Sequence, residues 1–301
     1  MVTRAQTLAI GFSGARRRAA DFVALTKPRV VLMVLAAILV GFYLGAKGAV
    51  DFWSLFQTLF AMALSTAGTI ALNQYLEREL DARMERTRLR PLPDGRLRPA
   101  EALGFGLALV AAGLLYASLA VNALTGLLTA VIVVSYLFVY TPLKVKTEFC
   151  NLPGAVAGAL PPVVGWAAAA GTLEVRAWVL FAIMFVWQFP HLLAIGWLYR
   201  EEYARAGVRH MVRRDSDPKS TGRQIVNNCM ALLVLGLMPT LVGLAGKVYF
   251  VSALAIGIAF LACGIMTSCS MTTSNARRLL VATLVYLPAL LLLMVFDKGP
   301  L

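Results

Sequence analysis

The sequence predicts an all-α membrane protein, a polytopic bundle of about nine transmembrane helices around a central cavity open to the cytoplasmic side. Three observations predict it. Hydrophobic residues make up 59% of the 301 positions, and the mean hydropathy of +0.76 lies far above soluble usage. Apolar runs of roughly 20 residues, enough to cross a bilayer, recur along nearly the whole chain. The short alternating segments of a transmembrane β-barrel are absent.

Residues 1–28 carry Arg16-Arg17-Arg18 but no apolar core followed by a cleavage pattern. They read as a cytoplasmic N-terminal tail rather than a signal peptide. Residues 29–301 then read as a single membrane-embedded domain. Its spans are expected at about 29–47, 53–76, 100–118, 121–140, 150–170, 177–199, 224–246, 248–268 and 279–296. The fifth contains Gly154, Gly158, Gly165 and the pair Pro161-Pro162. Small residues four apart let helices approach closely, and a double proline breaks a helix where neighbours or a cavity satisfy the backbone. Tight packing and a direct ligand role are the two readings of that span.

The net charge of +13 raises the question of nucleic acid, but its placement answers otherwise. With the N-terminus inside, nearly all basic residues fall on one side. Only Lys47, Arg176, Lys247 and Lys298 fall on the other. That is the positive-inside pattern, so the partner of this charge is a lipid bilayer and no nucleic acid is implied. Two inner connections, 77–99 and 200–223, are long and charged, which places the chemistry at the cytoplasmic face. Cys150, Cys229, Cys263 and Cys269 form no CxxC and no metal-ligand spacing with histidine, and read as buried apolar cysteines.

At the inner end of the second span, Asn73, Glu77 and Asp81 recur every fourth residue, close to one helical stripe. Arg83, Arg86, Arg88 and Arg90 follow at once. A carboxylate left facing lipid costs about 2.5–3.5 kcal/mol, so these side chains have either emerged into water or line a polar cavity. In the first case they form a solvated helix end, salt-bridged to Arg78 and Arg83. In the second, the carboxylates and the amide suit Mg²⁺, which takes one or two carboxylates plus phosphate oxygens and waters. The arginines then offer forked donors to a diphosphate.

The sixth span repeats the theme. His191 follows Trp187-Gln188-Phe189-Pro190, and Glu201-Glu202-Tyr203 stands at its inner end. His191 reads either as a core histidine bonded to a neighbouring helix or as a proton acceptor near neutral pH. Glu201 and Glu202 read as a second carboxylate pair or as a solvated charge run. Lys144 and Lys146 are topological charges or phosphate contacts.

The order Asn73-xxx-Glu77-xxx-Asp81 with Met84-x-Arg86-Thr87-Arg88-x-Arg90-Pro91 resembles the first polar motif of the intramembrane aromatic (UbiA-type) prenyltransferase superfamily. The resemblance is nearest to its protoheme IX farnesyltransferase (haem O synthase) branch. Leu25-Thr26-Lys27-Pro28-Arg29-Val30, Tyr140-Thr141-Pro142-Leu143-Lys144, the Gly158–Trp166 stretch and Trp187-Gln188-Phe189-Pro190-His191 agree in order and spacing, so the match covers roughly residues 25 to 225. The resemblance implies farnesyl transfer from farnesyl diphosphate to the 2-vinyl group of haem b, which is substrate rather than cofactor, in a bacterial inner membrane. It implies Mg²⁺ held by Asn73, Glu77 and Asp81, with Glu201 and Glu202 serving a second ion. Arg86, Arg90, Lys144 and Lys146 become the diphosphate clamp, and Tyr140, Gln188 and His191 acceptor-side residues. His191 would orient haem or a water. A haem A synthase or an oxidase-assembly protein would receive the product. Departures are Glu77 and Glu202 where the family has aspartate, Lys144-Val-Lys146 in place of a basic pair, and an altered loop at 207–214. Two other functions compete: prenylation of another aromatic acceptor such as a quinone precursor, and an anion-binding membrane transporter.

Overall fold

The computed structural model describes residues 16–147, 150–208, 211–212 and 217–299. Half of the altered 207–214 loop, namely Arg209, His210, Arg213 and Arg214, lies outside the described residues. Nine helices among the described residues are long and apolar enough to cross a membrane. They are α1 (Pro28–Gly45), α2 (Phe52–Leu76), α3 (Pro99–Val121), α4 (Ala123–Leu143), α5 (Asn151–Ala170), α6 (Val175–Leu198), α7 (Pro218–Leu241), α8 (Lys247–Cys269) and α9 (Thr273–Phe296). Helix α1 packs on α2 and α5, α2 on α3, α6 on α7 and α9, and α8 on both α7 and α9; contacts between α9 and α1 close the ring.

Two helices begin about one and a half turns earlier than hydropathy alone suggests. Helix α7 starts at Pro218, because the Asp217 carboxylate accepts from the backbone N–H groups of Lys219 and Ser220. Helix α9 starts at Thr273, where the Thr272 hydroxyl caps Asn275 N–H. Polar first turns hide both starts from a hydropathy reading. The Pro161-Pro162 break is present: α5 consists of Asn151–Ala159 and Pro161–Ala170 joined at Leu160. The glycines are contact points. A Cβ on Gly41 of α1 would overlap the Pro162 carbonyl, and one on Gly165 would overlap the Ile38 carbonyl. Backbones of α1 and α5 therefore touch.

Helix α4 changes character towards its C-terminal end, where Ser135–Tyr140 is π-helical and the Thr141 N–H bonds back to Tyr136 O. At the opposite end of the bundle, Lys47 pairs with Glu174 at 3.1 Å, and Lys298 Nζ donates to Tyr43 O and Ala46 O at 2.8 Å each. Those residues are among the few bases that the charge pattern puts on the outer side. Cys150 and Cys229 are buried as expected, Cys263 is half-buried, and Cys269 is exposed at the last residue of α8, contrary to the expectation for it.

The N-terminal segment is more than a tail. Residues 16–26 form a helix. Its Leu25 packs with Ala71, Leu92, Leu97 and Ala102, and Phe22 meets Phe105 with ring centroids 5.0 Å apart. Arg96 ties it down, bonding to the buried Asp21 carboxylate, to Asp94 at 2.8 Å and to Leu89 O at 2.8 Å. Arg18 adds a 2.5 Å bridge to Glu101, and Gln74 Nε2 donates to Leu25 O at 2.5 Å. Asp21→Ala leaves Arg96 without its buried partner, a cost of about 1–3 kcal/mol. The expected result is faster tryptic cleavage after Arg16, Arg17 and Arg18 in membranes, while the rest of the bundle stays resistant.

Candidate active site

Helix α2 ends at Leu76, and Glu77 (φ −93°, ψ 5°) breaks it before the single turn Arg78–Asp81. The four-residue register survives the break, because Glu77 N–H donates to Asn73 O at 2.9 Å and Asp81 N–H to Glu77 O at 2.7 Å. Asn73, Glu77 and Asp81 are 3%, 6% and 1% exposed, which rules out a solvated helix end. Their partners are also not Arg78 and Arg83. Arg78 pairs with Glu79 at 3.3 Å and lies over Tyr75, and Arg83 is exposed.

Each acidic group instead meets a cation from farther along the chain. Lys144 Nζ, just past α4, donates to both Glu77 oxygens at 3.1 Å. Burial works against the Lys144 charge, but the Glu77 carboxylate more than compensates and holds its pKa above the ordinary lysine value. Arg90 Nη1 donates to Asp81 Oδ2 at 2.5 Å. Asn73 Nδ2 donates to Thr141 Oγ1 at 3.1 Å, and that hydroxyl donates to Tyr136 O at 2.8 Å. The π-helical turn positions Thr141 and Lys144 for both contacts. Thr87 Oγ1 donates to Asp81 O at 2.8 Å and fixes the start of the arginine run.

The two long charged loops meet. Arg86 N–H donates to Glu202 Oε1 at 3.1 Å, the Arg86 guanidinium lies over the Tyr199 ring, and Met84 packs with Ala206 and Val208. Glu202 thus sits beside the first motif. Glu201 is exposed, and both glutamates line a polar cleft with Tyr199, Arg200, Arg205 and Thr273. Arg86, Arg88 and Lys146 are exposed, so of the expected clamp only Arg90 and Lys144 point inward, and Arg86 spans the two loops at the surface.

Below this rim lies an apolar cavity of about 260 Å³. Val30, Val34, Met62, Ile70 and Leu192 supply its apolar surface, while Tyr136, Tyr140, Asn151 and Gln188 bring polar atoms to it. Tyr140 and Gln188, expected on the acceptor side, thus both line this cavity. Gln188 Nε2 is saturated by Ala155 O and Met184 O, at 3.0 and 3.1 Å, and its Oε1 fills the space a side chain at Gly158 would need. His191 is not among the lining residues. It stacks on Trp187 and bonds through Nδ1 to Thr283 Oγ1 of α9 at 2.8 Å. Since that hydroxyl donates to Leu280 O, the Nδ1–H tautomer makes the bond and leaves an Nε2 lone pair. Tyr136, Thr141 and Asn151 are site residues that sequence reasoning missed. Thr141 stands inside the quoted Tyr140–Lys144 motif, whereas nothing in one sequence pairs α2 with α4.

Among the described residues no three His, Cys, Asp or Glu side chains gather into a metal cage. A divalent cation nevertheless fits the first motif, because Asp81 Oδ1 is buried without a hydrogen-bond partner. A buried carboxylate oxygen left open is costly, and Mg²⁺ needs few protein ligands when phosphate and water complete its shell. Asp81, Glu77 and Asn73 would hold it.

Residues 34–287 match the UbiA prenyltransferase family. The chain is 43% identical to the protoheme IX farnesyltransferase of Solibacter usitatus, over 92% of this chain and 98% of that one. It is 38% identical to the protoheme IX farnesyltransferase of Koribacter versatilis, over 97% and 98%. For the one from Myxococcus xanthus the identity is 39%, over 94% and 96%. A solved digeranylgeranylglyceryl phosphate synthase structure shares the fold at TM-score 0.80 and 14% identity, covering 93% of this chain and 98% of that one. A UbiA homologue from Archaeoglobus fulgidus, bound to GPP and Mg²⁺, does so at TM-score 0.63 and 16% identity, covering 92% and 99%. The chain is a multi-pass integral membrane protein and belongs to the UbiA prenyltransferase family, among its relatives named protoheme IX farnesyltransferase.

Proposed function

We propose that this protein transfers a farnesyl group from farnesyl diphosphate to the 2-vinyl group of haem b, forming haem O for terminal oxidases. The observation that carries this reading is a rim of paired carboxylates and cations set over an apolar cavity, in a chain whose relatives bear that name. The N-terminus and the rim face the cytoplasm of a bacterial inner membrane, in accord with the positive-inside pattern. Residues 29–301 act as one catalytic unit. The product passes to a haem A synthase or an oxidase-assembly protein.

The chemistry needs a leaving group whose charge is stabilised and an allylic cation kept from water. Mg²⁺ on Asp81, Glu77 and Asn73 would neutralise part of the diphosphate charge. Arg90 and Lys144 are already beside those carboxylates, so they reach phosphate oxygens with little reorganisation. Arg86 closes the site from the side of Glu202, and Glu202 with Glu201 offers further acidic ligands. The cavity beneath takes the isoprenoid, with Tyr136 and Tyr140 facing it where ionisation occurs. The vinyl carbon attacks the allylic carbon as the diphosphate departs. Water then adds to the new cation and loses a proton, leaving a hydroxyethylfarnesyl group. His191 acts from the α6–α9 contact rather than from the cavity wall, as an orienting group for haem through its free Nε2.

Membranes containing the protein, supplied with farnesyl diphosphate, Mg²⁺ and haem b, are expected to yield haem O on mass spectrometry of extracted haems. Prenylation of a quinone precursor without haem O, or transport without any prenylated product, would overturn the proposal.

A further inference from the structure

We infer that Met62 of α2 is the floor of the apolar cavity and sets the prenyl chain it accepts at three isoprene units. This rests on the function proposed above and adds the residue that tells a farnesyl donor from a longer or a shorter one.

The first observation is depth. On α2 the cavity wall runs from Ile70, beside Asn73, to Met62, and among the described residues none of α2 farther from the rim lines it. Met62 stands eleven residues before Asn73, a rise of about 16 Å at 1.5 Å per residue. The other walls end at the same level. On α5 the lining residues run from Asn151 to Pro161, about 15 Å. On α4 the last of them is Ile132, twelve residues before Lys144. An extended carbon chain advances about 1.25 Å per bond, so the twelve-carbon main chain of a farnesyl group spans about 14 Å. With its diphosphate at the rim, that chain ends against Met62. A further isoprene unit adds about 5 Å and would have to pass it.

The second observation is what closes that end. Met62 is 1% exposed. Its side chain crosses from α2 towards α4, where the Thr129 hydroxyl lies 3.2 Å from its sulfur. That hydroxyl has one proton, which goes to Thr125 O at 2.7 Å, so its contact with Met62 is packing rather than a donated bond. The next turn is shut. Thr58, Leu128 and Val164 stand one turn farther from the rim on α2, α4 and α5, and all three are buried. Met62, Leu128 and Val164 belong to one core cluster. Pro161 shares the floor, but it opens the second half of α5, next to the Pro162 carbonyl that meets Gly41. Ile132 is branched at Cβ and stiff. Met62 is the unbranched, adaptable side chain of the three, and its size can change without moving a backbone.

The test uses the purified full-length protein in lipid nanodiscs with Mg²⁺, offered geranyl, farnesyl or geranylgeranyl diphosphate. Two quantities are read: the rise in melting temperature with each diphosphate alone, and kcat/KM for each with haem b. The wild type is expected to favour farnesyl diphosphate in both. Met62→Ala should melt lower without ligand, because a buried side chain is truncated. Its farnesyl-over-geranylgeranyl ratio of kcat/KM should fall at least about 10-fold, the smallest effect one methylene has in a hydrophobic pocket. Geranylgeranyl diphosphate should also become its better stabiliser. Met62→Val, a smaller cut, should shift the ratio the same way and serves if the alanine variant does not fold. Met62→Trp raises the floor and should move the preference to geranyl diphosphate. Met62→Leu, close in volume, should keep the wild-type order. Unchanged ratios in Met62→Ala and Met62→Val, with turnover lowered alike for every donor, would overturn the inference and leave Met62 a core residue only. A wild type that favours geranylgeranyl diphosphate would overturn it too, by putting the floor elsewhere. A wild type that none of the three diphosphates stabilises would instead overturn the proposed function.

Discussion

Asp81→Asn is expected to lower kcat/KM for farnesyl transfer by about 100- to 1,000-fold, the range seen when one preorganised electrostatic contact to a transition state is removed. The substitution is nearly isosteric, so the Arg90 contact at Oδ2 and the Thr87 bond to the main chain have equivalents in the variant. What is lost is the negative charge and the open Oδ1. The same protein should still elute as a folded species, because an amide can still accept from Arg90. Asp81→Leu separates the two roles. It strands the Arg90 guanidinium in a partly buried position, and removing one partner of a buried pair costs about 3–5 kcal/mol. Haem O yield per folded molecule, read by mass spectrometry, and melting temperature together decide the matter. Full turnover by Asp81→Asn would remove Asp81 from the metal site.

Gly41→Val should have the largest effect on folding. A Cβ at Gly41 lies on top of the Pro162 carbonyl, and the obstructing atoms are backbone, which no rotamer change can clear. The isopropyl group must therefore push α1 away from α5, against the reciprocal contact of Gly165 with Ile38. Overpacking of this kind costs about 3 kcal/mol or more, and small residues are what allow such helix contacts in a membrane. The expected outcome is loss of monodisperse protein on size-exclusion chromatography. Gly104→Ala is the control, because nothing lies within 4 Å of a Cβ there; it should be neutral. A well-folded Gly41→Val protein would mean that α1 and α5 are not in backbone contact.

The architecture was legible because lipid demands it. An apolar run of about 20 residues has few alternatives to a spanning helix. Boundaries were less legible where a cap and a polar first turn extend a helix, as at Asp217-Pro218 and Thr272-Thr273. Within the site, the spacing of Asn73, Glu77 and Asp81 was readable because it is local to one helix, and its register outlasted the break at Glu77. Their partners were not. Thr141 and Lys144, at the end of α4, reach Asn73 and Glu77 only because α4 packs against α2, a tertiary fact with no signature in spacing. The charge run also overstated the clamp, since Arg83, Arg86 and Arg88 are exposed while Arg90 turns in.

The π-helical turn of α4 has a consequence for phase. A π-helical stretch closes i→i−5 bonds and so accommodates one residue more than α geometry would over the same length. Each residue of an α-helix advances the azimuth by about 100°. The two ends of α4 are therefore out of phase by about that angle. The N-terminal part, Ala123–Val134, presents one face to its neighbours. Thr141 and Lys144 obey a different origin, the one that points them at Asn73 and Glu77. A single helical wheel drawn through the whole span would assign these two residues to the wrong side. The segment is better understood as two helices sharing an axis, each with its own zero of rotation, with the end that carries Thr141 and Lys144 indexed independently of the other.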